Sequence, residues 1–179
     1  QELNCSPNLN IKTFVETGTY LGETLGLASH HFDRCFSIEL SEKFYNLNVE
    51  KFKNSSNIFL HKGSSATELS KIFNNFLHEP VMFFLDAHYS SGDTARDPEY
   101  DPPVLIEIDV ILKNRITSGF YNDIIIVDDY GQFGSCKQDE DWTEITTSNI
   151  EKLVEKYGFR ANVYADNDRL IIHFLEGKK

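Results

Sequence analysis

The segment Phe14-Val15-Glu16-Thr17-Gly18-Thr19-Tyr20-Leu21-Gly22-Glu23-Thr24 constrains the fold more than any other part of this 179-residue chain. An apolar run ends in an acid. A glycine, three residues and a second glycine follow, and then a helical pattern begins. A strand that enters a helix through such a turn builds a nucleotide-type site, because glycine lets the backbone approach a ligand closely and take conformations closed to other residues. A second acid, Glu39, closes the next apolar run, Cys35-Phe36-Ser37-Ile38, and stands 21 positions after Gly18. Acids that take ribose hydroxyls in dinucleotide folds lie about 20 residues on. Two strand ends, two acids and one glycine turn together describe an adenosine site.

Strand and helix patterns alternate along the rest of the chain. Residues 13–18 read as the first strand, and 22–32 as a helix with Leu25, Ala28 and Phe32 on one face. Residues 35–39 form the second strand. Ser41 is the expected cap of a helix carrying Phe44, Leu47 and Phe52, and 58–61 is a short third strand. Ser65-Ala66-Thr67-Glu68 reads as a capping box opening a helix that runs to about Leu77. Val81-Met82-Phe83-Phe84-Leu85, closed by Asp86, has the continuous apolar character of a parallel strand covered on both faces. Pro102 and Pro103 start a helix that Gly119 ends, and Ile124-Ile125-Ile126-Val127 is another central strand, closed by Asp128 and Asp129. Ser148-Asn149-Ile150-Glu151 reads as a second capping box, for a helix carrying Ile150, Leu153, Val154 and Tyr157 and ended by Gly158. Residues 161–165 and 169–174 flank Asp166-Asn167-Asp168, a hairpin turn. The expectation is a single α/β domain over 1–179, with a mostly parallel sheet of seven strands finished by an antiparallel hairpin.

Composition narrows the partners. The 40 % hydrophobic content supports a folded core. A net charge of -11 with no Lys/Arg cluster argues against a phosphate-backbone partner, so no nucleic acid is expected. Cys5, Cys35 and Cys136 are scattered without a CxxC pair, which suggests neither zinc nor a disulfide framework; Cys35 reads as a buried strand residue. No 18-residue apolar run marks a membrane span, and no signal peptide is visible, so a cytoplasmic setting is expected.

In parallel sheets ligands bind beyond the carboxyl ends of the strands. Glu16, Glu39, Asp86, Asp128 and Asp129 all stand there. His88, two residues beyond the strand closed by Asp86, is a candidate base because it titrates near neutrality. Residues 89–101 are long for a loop and read as a lid over an acceptor; they include Ser90, Ser91, Gly92, Asp93, Thr94, Asp97, Glu99 and Asp101, with Arg96 set to meet an anionic group. Tyr130, Phe133 and Trp142 have two readings, acceptor pocket or packing. His30 and His31 suit a helix end and are assigned no chemistry.

Val15-Glu16-Thr17-Gly18 with Gly22, and Ile126-Val127-Asp128-Asp129-Tyr130-Gly131, resemble the glycine motif and the metal-binding strand end of class I S-adenosylmethionine (SAM)-dependent methyltransferases, closest to the macrocin O-methyltransferase-like branch. The alternation of elements fits that fold, a Rossmann-like α/β/α sandwich, from about Thr13 to Phe174. The resemblance implies that Glu16 closes the methionine end of the site, that Gly18 and its neighbours Thr17, Tyr20 and Gly22 line the cofactor, and that Glu39 binds the ribose. It further implies that Gly63, Ser64 and Ser65 border the adenine, that Asp86 contributes to the cofactor site and to catalysis with His88, and that Asp86, Asp128 and Asp129 hold Mg2+. Tyr20 stands where many methyltransferases have a third glycine. The sequence has no counterpart of the N-terminal lid of sugar and catechol methyltransferases, so the acceptor pocket is expected from loops or from another subunit, as in a homodimer.

Methyl transfer needs donor and acceptor held in line, and a hydroxyl acceptor needs to lose its proton. The expected function is therefore O-methylation of a small hydroxylated acceptor, a sugar or phenol, with SAM as donor. The alternative is a module that binds SAM without transfer, as a regulatory or assembly subunit. A nicotinamide dehydrogenase is disfavoured by the missing GxGxxG.

Overall fold

The computed structural model describes residues 10–76, 78–89, 92, 94–119, 122–137 and 140–175. Of the residues singled out above, Cys5, Leu77, Ser90, Ser91 and Asp93 lie outside these. In chain order the elements are β1 (Thr13–Thr17), α1 (Glu23–Ala28), β2 (Arg34–Glu39), α2 (Glu42–Lys51), β3 (Ile58–Lys62), α3 (Ser65–Ile72), β4 (Val81–Leu85), α4 (Val104–Ser118), β5 (Ile124–Val127), β6 (Cys136–Lys137), β7 (Glu140–Asp141), α5 (Thr147–Lys156), β8 (Ala161–Asp166) and β9 (Arg169–Phe174). Single 3₁₀ turns at Phe73–Asn75 and Tyr130–Gln132 complete them.

Seven strands form one sheet in the order β3-β2-β1-β4-β5-β9-β8. The first five are parallel, and β9 joins β5 antiparallel as half of the terminal hairpin. The sheet is thus the mostly parallel one expected, with an antiparallel hairpin at its edge. The sequence reading missed β6 and β7, a two-residue ladder between β5 and α5, because its strands are too short to show alternation.

The central strands of the sheet are covered on both faces. On one, Val15, Phe83, Leu85, Ile125 and Val127 pack in the larger core with Leu69, Ile108, Ile111 and Ile150 of α3, α4 and α5. On the other, Phe14, Cys35 and Phe84 meet Leu25 and Ala28 of α1. Every residue of β1 is buried, as a central strand with helices on both sides requires. Arg115 of α4 is fully buried. Its Nε donates to Asp123 Oδ2 at 2.5 Å, and its other nitrogens donate to the carbonyls of Phe76 and Glu79.

Helix starts differ from the sequence reading in two places. Ser64, not Ser65, holds the N-cap position of α3, and it makes no side-chain capping bond. Thr146 caps α5 by accepting from the Asn149 amide, which places Ser148 inside the first turn. In both segments several small polar residues precede the apolar run, and the strand-to-helix geometry selects among them. α1 is shorter than the pattern implied and ends at Ala28. Pro103 and Gly119 do bound α4, with Gly119 in left-handed backbone. The hairpin tip is the two-residue turn Asn167-Asp168, both with positive φ. Among the described residues no helix is long and apolar enough to cross a membrane.

Candidate functional site at the strand tips

The parallel register brings the carboxyl ends of β2, β1, β4 and β5 side by side. A cavity of about 730 Å³ opens over them, within the size range of small-molecule sites. Gly18 and Tyr20 line it from the turn after β1. Glu39 and Leu40 line it from the end of β2, Lys43, Phe44 and Leu47 from α2, and Gly63, Ser64 and Ser65 from the β3–α3 junction. Asp86, Ala87 and His88 close the side beyond β4, and Gly92, Thr94, Ala95 and Asp97 form a wall from the long loop.

Gly18 has two reasons to be glycine. Its φ is +83°, and a Cβ there would lie 2.2 Å from the carbonyl oxygen of Asp86. The turn after β1 can therefore pass tightly beside the end of β4, which brings Asp86 to the cavity wall. Glu39 is 6 % exposed, and backbone amides orient its carboxylate: Tyr20 donates to Oε2 at 2.8 Å and Ser41 donates to Oε1 at 2.7 Å.

Three residues expected to touch the cofactor do not line the cavity. Gly22 instead caps α1 in left-handed backbone and packs against α2, where a Cβ would meet Asn48 Oδ1 at 2.1 Å; its glycine serves helix packing. Thr17 is the last ladder residue of β1 and fully buried, with its hydroxyl near the Asp86 amide. Glu16 is 1 % exposed, and its carboxyl accepts from Ser37 Oγ at 2.6 Å. Burial pushes its pKa up to about 8; the Ser37 bond opposes this, and the charges of Asp86 and Glu39 reinforce it. Burial thus favours the neutral form of this carboxyl, which lies behind the wall.

At the β4 and β5 tips, His88 stands between two carboxylates. Its Nδ1 lies 3.4 Å from Asp86 Oδ1, and its Nε2 lies 3.1 Å from Asp129 Oδ2. The edge of Trp142 packs against the imidazole at 5.3 Å between centroids. Burial pulls the His88 pKa down, but the hydrogen bond to Asp86 and the charges of Asp86, Asp129 and Glu140 outweigh it and hold the pKa above the ordinary histidine value. The Asp86 pKa is raised, chiefly by burial, with His88 opposing and Asp128 and Asp129 adding to it.

Asp128 takes a different partner. It accepts from Arg169 Nε at 3.1 Å, while Asp129, in left-handed backbone at φ 56°, turns toward His88. Among the described residues the group whose ligand atoms lie within 4.8 Å of one another is Asp86, His88 and Asp129, not the expected Asp86, Asp128 and Asp129. Alternation along a strand sends successive side chains to opposite sides, and here Asp128 meets Arg169 while Asp129 meets His88. Two carboxylates and an imidazole can hold a divalent cation, though magnesium prefers an all-oxygen shell and an imidazole suits manganese or zinc at least as well.

The long loop also departs from expectation. Arg96 Nε pairs with Asp101 Oδ2 at 2.9 Å, and its guanidinium lies over the Tyr89 ring, so this charge is committed within the loop. Trp142 is buried and donates to Glu140, while Tyr130 and Phe133 pack against the core; none of the three lines the cavity. The sequence reading missed Glu107. It is fully buried on α4, and neither carboxyl oxygen has an aligned hydrogen-bond partner. Burial raises its pKa to about 7, eased by the nearby hydroxyls of Ser65 and Thr17 and reinforced by Asp86. A lone acid on an amphipathic helix carries no sequence signal for burial.

No protein-family profile matches the chain, and no curated protein matches it in sequence. Solved structures match its fold. SMU.1697c of Streptococcus mutans, solved with S-adenosylhomocysteine (SAH), is 18 % identical with a TM-score of 0.58, over 93 % of this chain and 91 % of that one. The fibrillarin pre-rRNA processing protein of Methanococcus jannaschii is 15 % identical with a TM-score of 0.58, over 97 % and 70 %. A SAM-dependent methyltransferase from Aquifex aeolicus is 13 % identical with a TM-score of 0.52, over 93 % and 84 %. The sheet is the Rossmann-like fold of SAM-dependent methyltransferases. None of these comparisons supports the macrocin-type branch, whose likeness rests on the two motifs alone.

Proposed function

We propose that this chain is a SAM-dependent methyltransferase acting on oxygen of a small hydroxylated acceptor, a sugar or phenol. The observation that carries the reading is one cavity lined by Gly18, Glu39, Asp86 and His88, with Asp86 and Asp129 on either side of the His88 ring. Glu39, held by two amides, would take the ribose hydroxyls, and Gly63, Ser64 and Ser65 would border the adenine.

His88 is the base. In its neutral form it would take the acceptor proton at the ring nitrogen that one of its two carboxylates yields to the acceptor; bound SAM would supply the methyl group, its C–S bond breaking as the C–O bond forms and SAH leaving with the electron pair. Asp86 and Asp129 orient the ring and stabilise the imidazolium that forms. With a divalent cation in place Asp86, His88 and Asp129 would instead be its ligands, and the metal rather than the imidazole would lower the pKa of the acceptor hydroxyl.

The net charge of -11 favours a small acceptor over RNA, despite the likeness to fibrillarin, because it opposes a phosphate backbone. The histidine between two acids favours an enzyme over a module that only binds SAM. Calorimetric titration of SAH tests the cofactor site: micromolar binding is expected, and no heat with or without manganese would sink the reading. Turnover with catechol or sugar acceptors then separates enzyme from binding module.

A further inference from the structure

β8 ends the sheet and is paired on one side with β9. The Arg160 carbonyl accepts from the Leu175 amide at 2.8 Å, so the backbone of residue 160 faces β9. Backbone groups alternate in direction along an antiparallel strand, and those of Ala161, Val163 and Ala165 therefore face outward. The strand lacks the devices that blunt an edge. From Ala161 to Ala165 there is no charge, proline or glycine, and its register with β9 runs to Asp166 without a bulge. Charge enters only at the ends, as Arg160 just before the strand and Asp166 at its last position, both exposed. The opposite edge differs: β3 ends in Lys62 and contains no acid.

We propose that β8 pairs antiparallel with β8 of a second copy of this chain, about a two-fold axis at Val163. In that register Ala161 stands opposite Ala165 and Val163 opposite its own copy, so each outward-facing N–H and C=O meets a partner. Arg160 of each protomer then stands opposite Asp166 of the other. The two are an even number of residues apart and share a face, so both ends of the pairing carry opposite charges. The exposed Tyr164 stands opposite Asn162 on that same face. A slip of one residue would set outward-facing groups against inward-facing ones. Each protomer uses its β8 edge once, so the pair closes as a dimer. This pairing is independent of the SAM reading, because the β8 edge lies beyond the strands over which the cavity opens.

The test compares wild type with Arg160→Glu and Asp166→Lys, by sedimentation velocity over a range of concentrations and by thermal unfolding at the lowest of them. Wild type is expected to pass from the chain mass to twice that mass as concentration rises. Each variant sets like charges together at both ends and should dimerise about tenfold more weakly or worse. An equimolar mixture of the two variants restores the dimer, because both end pairs are then opposite in sign. Amide hydrogen exchange at Val163 and Ala165 in wild type should slow with rising concentration, a readout that stands even where a variant fails to fold. A wild-type chain that stays monomeric, or that grows beyond a dimer, would overturn the pairing. So would single variants that dimerise as wild type does, a mixture of folded variants no tighter than either alone, or exchange at Val163 and Ala165 that ignores concentration.

Discussion

Arg169 Nε donates to Asp128 Oδ1 at 3.1 Å, one step beyond Val127 and Leu170, the last pair of the β5–β9 ladder. One step beyond Leu85 and Val127 on the other side of β5 stands Asp86. Asp128 therefore lies in a row between an acid and a guanidinium, and it takes the guanidinium. Replacing Arg169 by glutamine removes that counter-charge and leaves Asp128 beside Asp86. Manganese affinity, read by electron paramagnetic resonance, is expected to rise several-fold in Arg169→Gln and to return to the wild-type value in Asp128→Asn/Arg169→Gln. Unchanged or weaker binding in the single variant would show that Asp128 stays out of the cluster without help from Arg169.

Gly18→Ala places a Cβ against the Asp86 carbonyl at 2.2 Å and an L side chain at φ +83°. Overpacking and backbone strain act together, so we expect a loss of at least about 2 kcal/mol of stability. Denaturant unfolding measures it. SAH binding is expected to fall too, since relief of the clash moves the turn away from Asp86.

Glu16 sets a pH dependence of stability. Its pKa is near 4.5 when unfolded and about 8 when folded. Below pH 4.5 both states are protonated and the group costs nothing. As pH rises, the unfolded chain releases the proton first, so stability falls through this window and levels off above about pH 8. Glu16→Gln, which keeps an acceptor for Ser37, should flatten that fall and make the variant more stable than wild type at pH 9. Equal slopes in unfolding free energy between pH 5 and 9 would mean that the carboxyl ionises in place.

Because its neighbours hold the His88 pKa above the ordinary value, the neutral base is scarce at mildly acid pH. The acid limb of kcat/KM should therefore lie above pH 6.5, and His88→Ala should lower kcat by about 10²–10⁴-fold while SAH affinity stays near wild type. An acid limb that persists unchanged in His88→Ala would assign the proton to another group.

The strand tips are legible in the sequence, and for a clear reason. An apolar run ending in an acid or glycine marks where a strand leaves the core, and strong periodicity survives every tertiary detail. Thus Glu39, Asp86 and Gly18 were legible from the chain alone, and the cavity is lined by all three. Helix caps were less legible, because Ser64 and Ser65, or Thr146 and Ser148, are chemically alike at the start of one run.

Partner choice was not legible at all. Nothing in Asp128-Asp129 says which carboxylate faces His88. That depends on β9 bringing Arg169 alongside β5, 41 residues later in the chain, and on Asp129 adopting left-handed backbone. The same holds for Gly22, which looks like a ligand glycine until α2 packs Asn48 against it, and for Glu107, whose burial comes from the neighbours of α4. Local sequence pattern dictates which segments become strands and helices and where they end, since those depend on periodicity and nearby residues. Which side chains meet at the site depends on contacts between residues far apart in sequence, which exist only once the sheet has assembled.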